Sequence, residues 1–85
     1  MKALIDWVDF AEKIAEYTGV DANTINENTS IYNDLGMDSL GLFSMGMYLI
    51  KTYGVKIPIS SVARIETVKD IHVMMNEQIN VDNAL

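Results

Sequence analysis

With 85 residues the chain has room for one small domain, expected to span residues 1–85, and none for a separate catalytic unit beside it. It contains no cysteine, which excludes disulfides, thiolate metal sites and a cysteine nucleophile and points to a reducing compartment. A formal charge of −6 provides no basic stripe to displace counterions from a nucleic acid, and no apolar run approaches the length of a membrane span.

Residues 4–17 place Leu4, Trp7, Val8, Ala11, Ile14 and Ala15 at three- and four-residue spacing, with Asp6, Asp9, Glu12, Lys13 and Glu16 on the other side. This predicts an amphipathic first helix with Trp7 in its core, stopped by Gly19 in a left-handed turn. The start, Met1-Lys2-Ala3 followed by these acids, is neither a signal nor a transit peptide, so a cytoplasmic protein is expected; a monomer is expected as well. Residues 20–37 lose periodicity and gather Asn23, Thr24, Asn26, Asn28, Thr29, Ser30 and Asn33, whose side chains compete with helix for backbone groups. A long loop is expected there, pinned to the core by Ile25, Ile31, Tyr32 and Leu35; loops of this length are usually functional.

A second helix begins at Ser39 and is apolar nearly all round, from Leu40, Leu42 and Phe43 to Met47, Ile50 and Tyr53, so it should be the central one, ended by Gly54. Gly41 and Gly46 lie inside it, each unfavourable by about 1 kcal/mol relative to alanine. After the extended Val55-Lys56-Ile57, Pro58 allows a short helix over residues 59–64. Thr67 and Asp70 are spaced as a capping box, and Val68, Ile71, Met74, Met75 and Ile79 keep a helical period before a tail, residues 80–85, expected to fray. The expected fold is all-α: a four-helix bundle of three long helices and a short third one, with a long loop between helices one and two.

Asp34-Leu35-Gly36-Met37-Asp38-Ser39-Leu40 closes the loop and opens the central helix. Here the sequence resembles the acyl carrier protein family, also in the loop phrase over residues 25–32, the Ile57-Pro58 pair and Thr67-Val68 before the last helix. The resemblance implies that Ser39 receives 4′-phosphopantetheine from coenzyme A and that the arm's thiol carries the cargo. It further implies that Asp38 helps a phosphopantetheinyl transferase engage the site, through that enzyme's magnesium ion, and that Leu40 is an exposed apolar contact; Met37 and Met47 join it as expected partner contacts. Such a protein is no enzyme; it is presented to acyl- or aminoacyl-loading and condensing enzymes. A phosphodiester at a helix N-terminus also makes physical sense, because unpaired N–H groups and the positive end of the macrodipole favour an anion. By itself, without the surrounding pattern, Ser39 reads sooner as a helix N-cap.

Three features depart from the family. Residues 39–59 hold no acid and two lysines, where the family's central helix presents acids to basic partners; residues 60–64 lack acids as well. Gly46 stands where a larger residue would fill space, leaving room for an acyl chain unless Tyr48 or Phe43 fills the gap. His72, the only histidine, has no acid and nucleophile to form a triad and reads as a surface or half-buried residue. The other methionines read as core.

Rival readings are narrower. A calcium loop from Asp21 fails at Ile25, Asn26 and Tyr32, its fifth, sixth and twelfth positions. An unmodified helical adaptor of the same fold remains open. Cargo also remains open between fatty-acyl or polyketide intermediates and an aminoacyl or peptidyl group of D-alanine-transfer or nonribosomal type, since Asp38-Ser39-Leu40-Gly41 and Pro58-Ile59-Ser60 are similar to stand-alone carriers of D-alanine-transfer type.

Overall fold

The computed structural model describes residues 4–84, with side chains through Ile79. Helix α1 covers Trp7–Thr18, α2 Ser39–Tyr53, α3 Ile59–Val62 and α4 Val68–Ala84, with one 3-10 turn at Ala22–Thr24. This is the expected all-helical order, with α3 two residues shorter and α4 helical through residue 84, where a frayed tail was expected; Leu85 lies outside the described residues.

Helix α1 starts later than its apolar pattern suggests because Asp6 stays extended and its carboxylate accepts a hydrogen bond from Asp9 N at 3.2 Å. An aspartate gains more as a cap than as an interior residue. Leu4 therefore precedes the helix and is exposed, as is Val8, while Ile5, Phe10, Ala11 and Ile14 are buried. The buried stripe thus includes Phe10, which the sequence pattern omits, and Trp7 is only half-buried against it. Gly19 ends the helix at φ 79°, its N–H donating to Ala15 O at 2.8 Å.

The segment before α1 is tied to α4 by side chains from far along the chain. Ile5 N donates to Asn76 Oδ1 at 2.8 Å, and His72 Nε2 lies 2.8 Å from Ile5 O, a contact that only a protonated Nε2 can satisfy. The His72 ring packs edge-on against Trp7 and beside Phe10, with centroids 5.2 and 5.1 Å away. The lone histidine is half-buried, as expected, and holds the two chain segments together.

Residues 20–37 form an ordered loop. Ile25 and Ile31 are buried and Leu35 packs on the core, but Tyr32, expected to pin the loop, is exposed, its neighbour Ile31 taking the inward position. Backbone bonds fasten the loop to the start of α4: Ile31 N to Glu66 O at 2.9 Å, Val68 N to Thr29 O at 3.0 Å, and a bridge between Ser30 and Thr67. The polar side chains satisfy the remaining turns, as when the buried Thr29 accepts from Asn26 N through Oγ1 at 2.9 Å.

Helix α2 buries Leu42, Met45 and Leu49 and ends at Gly54, φ 66°. Val68, Ile71, Met75 and Ile79 complete the core from α4. The capping box at Thr67 is real: Thr67 Oγ1 accepts from Asp70 N at 3.3 Å, and Asp70 Oδ2 accepts from Thr67 N at 3.0 Å and Glu66 N at 2.9 Å.

Candidate functional site

Residues 30–38 are folded so that α2 begins at an exposed corner. Asp34 accepts from Ser30 N through its carboxylate at 2.7 Å and returns its own N–H to Ser30 O at 3.0 Å, closing a tight turn. Gly36 then takes φ 66°, which an L side chain resists, and Met37 N donates to Ile31 O at 3.2 Å. Nothing stands within 4 Å of a Cβ built on Gly36, so the glycine is there for its backbone and not for space.

The cap of α2 is Asp38, not Ser39. Asp38 is extended, its carbonyl accepts the first helical bond from Leu42 N at 2.9 Å, and its Oδ1 accepts from Gly41 N at 2.7 Å. Ser39 is consequently the first helical residue, exposed, with its hydroxyl not committed to the cap. Gly41 fits the same arrangement, since a Cβ there would lie 3.3 Å from Asp38 Oδ1 and 3.6 Å from Met37 Cβ. The penalty expected for a glycine inside a helix is offset here by room for the capping carboxylate.

Beyond the serine, α2 presents Leu40, 74% exposed, then Phe43 and Met47, both about half exposed. Met37, expected beside them as a contact, is half-buried against the core. Ile59, 82% exposed at the start of α3, escaped the sequence reading because a single isoleucine after a proline carries no periodic signal. Between α2, residues 56–59 and α4 lies an apolar groove of about 450 Å³, walled by Phe43, Met47, Ile57 and Ile71 among others. Gly46 opens it: the only atom near a Cβ at that position is Ile57 Cδ1, at 3.8 Å. Tyr48 does not fill the gap, since its hydroxyl reaches Glu16 Oε2 at 3.4 Å and its ring packs on Tyr17, and Phe43 lines the groove without closing it.

Among the described residues no group of three or more His, Asp or Glu could hold a metal, and no helix is long and apolar enough to cross a membrane.

Comparison with known proteins places this geometry. The phosphopantetheine attachment site family matches residues 9–71, from α1 to the first turn of α4 and including the whole of 34–40. An acyl carrier protein of Zymomonas mobilis subsp. mobilis is 42% identical over 66 residues, 73% of this chain and 85% of that protein. Among solved structures, the hexanoyl acyl carrier protein of the actinorhodin polyketide synthase from Streptomyces coelicolor matches with a TM-score of 0.77 at 25% identity, over 95% of this chain and 98% of that one. The actinorhodin holo acyl carrier protein gives 0.74 at 25% identity over the same shares. The helical frame, the family match over most of the length and the close relative lead to one conclusion: the chain belongs to the acyl carrier protein family, a non-catalytic carrier with a 4′-phosphopantetheine prosthetic group.

Proposed function

We propose that Ser39 is the residue that bears the phosphopantetheine, and that residues 1–85 act as a single cytoplasmic carrier unit presenting acyl intermediates of fatty-acid, polyketide or related biosynthesis to successive enzymes. The observation that carries this reading is the division of labour at the corner: Asp38 makes the cap, so the Ser39 hydroxyl stands exposed at the first turn. The residues present suit the group. Helical bonding begins at Leu42 N and the Gly41 N–H is taken by Asp38, which leaves the N–H groups of Ser39 and Leu40 outside the ladder, as donors that would suit a phosphodiester at the helix start. When bound, the arm supplies the thiol that this cysteine-free chain lacks. Asp38 Oδ2, which makes no cap bond, is the oxygen we assign to the transferase's magnesium ion during modification.

An acyl cargo is favoured over an aminoacyl one by the groove beside Gly46, where Lys56 is the one charged lining residue among the described residues. Apolar area removed from water there stabilises a bound chain by about 25 cal/mol per Å², a gain a small charged cargo cannot draw on. Two experiments test the reading. After incubation with coenzyme A and a phosphopantetheinyl transferase, digestion should locate the added mass on the peptide containing Ser39. The holo protein should then accept fatty-acyl or polyketide starter groups from their loading enzymes in preference to D-alanine; preferential D-alanylation would reassign the cargo.

A further inference from the structure

All twelve acids of the chain lie outside residues 39–65, the stretch that forms α2, the connection to α3, and α3 with the turn after it; Lys51, Lys56 and Arg64 lie inside it. Along α2 the exposed Leu40, Phe43 and Met47 follow one another at steps of three and four residues, and the next step is the exposed Lys51, so the four share one face. Phe43 and Met47 also line the groove together with Lys56 and Ile59, and among the described residues no carboxylate lines it. The result is an apolar surface bordered by cations, with Lys51 toward the end of α2 far from Ser39, on a molecule that is otherwise strongly acidic.

We propose that this face docks partner enzymes whose carrier-binding surface is an apolar patch rimmed by carboxylates, with those carboxylates meeting Lys51 and Lys56. The inference rests on the reading of Ser39 as the attachment residue. Burial of Leu40, Phe43, Met47 and Ile59 supplies the affinity, while the strongly hydrated ammonium groups stay at the rim and set orientation through complementary charge. A basic rim would bring like charges against Lys51 and Lys56, which is unfavourable. An anionic membrane also attracts apolar and basic surfaces, but two lysines contribute only about 1 kcal/mol each there, against repulsion of a chain of net charge −6. Twelve residues of helix separate Ser39 from Lys51, about 18 Å along the axis, so the partner's acids should lie about that far from the mouth that admits the arm.

The test measures kcat/KM for conversion of the full-length apo chain to the holo form, using coenzyme A and the phosphopantetheinyl transferase of the same organism, with products read by intact mass. Three variants are compared with wild type: Lys51→Glu/Lys56→Glu, Met47→Glu, and Lys13→Glu/Lys69→Glu. The last changes net charge as much as the first but on lysines that pair with Asp9 and Glu27 elsewhere. Thermal melts establish that each is folded. We expect the Lys51/Lys56 reversal and Met47→Glu to lose at least tenfold, mainly through KM, with the Lys13/Lys69 control within threefold of wild type. A Lys51/Lys56 reversal that equals or exceeds the control overturns the docking surface alone. A wild-type chain left unmodified, while an ordinary carrier in the same tube is converted, overturns the Ser39 reading and this face's assignment with it. Sedimentation with phosphatidylglycerol–phosphatidylcholine vesicles should show no binding; binding that the reversal abolishes would give the face to lipid and overturn the proposal.

Discussion

Positions 38, 39 and 41 each do something that their neighbour cannot. The Asp38 carboxylate closes the helix start, Gly41 leaves room for it, and Ser39 between them keeps its hydroxyl exposed. Gly41→Ala therefore has two opposed effects, a gain in helix propensity of up to about 1 kcal/mol and a crowded cap, and should leave stability nearly unchanged or lower in denaturant titration. A gain approaching the full propensity value would mean that the cap yields easily. At the start of α4, Asp70 feels burial, which raises its pKa, but the N–H groups of Thr67 and Glu66 outweigh this and hold the carboxyl below its usual range. A depressed folded-state value means that its contribution to stability is present above the ordinary aspartate pKa and is lost as pH falls through the folded one. Asp70→Asn should cost about 1 kcal/mol at neutral pH and flatten the acid side of the stability profile relative to wild type. An unchanged acid limb would move that dependence to other groups.

At the level of elements, the order and approximate length of all four helices follow from apolar spacing and from Gly19, Gly54 and Pro58 as punctuation. The misplaced stripe of α1 shows where such reading stops. Leu4 and Val8 satisfy the helical period as well as Phe10 does; the cap at Asp6 leaves Leu4 outside the helix, and packing into the core turns Phe10 inward and Val8 outward. The joins between elements were less legible still, because they unite residues distant in sequence. His72 and Asn76 grip Ile5 across about seventy positions, and the Tyr53 hydroxyl donates to Asp9 Oδ2 at 2.5 Å, joining the end of α2 to the start of α1. Partial burial of Tyr53, followed by its bond to Asp9, pushes its pKa above the ordinary tyrosine range. Tyr53→Phe should lower unfolding free energy by about 1 kcal/mol with little effect on loading at Ser39. A large loss of loading in a still folded variant would show that this join also shapes the site.

For the molecule as a whole, the exposed corner we propose for attachment could be picked out in the sequence because the 34–40 motif is contiguous. The groove was only half visible. Gly46 signalled missing volume beside α2, but the rest of the lining comes from residues 56–59, 62, 65, 71 and 78, which only folding assembles. If an acyl chain occupies that space it binds the native state alone, so loading a long chain should raise Tm by about 5 °C over the short-chain form, and Gly46→Leu should remove most of that difference. Equal melting of both forms in the wild type would leave the groove without this role.

The central claim is that one hydroxyl tethers the arm. Intact mass of wild type and Ser39→Ala after incubation with coenzyme A and a competent transferase tests it most directly. Wild type should gain a single phosphopantetheine and Ser39→Ala, still folded, none. Modification of Ser39→Ala to the same extent, or a wild type that stays apo beside a converted control carrier, would contradict the account.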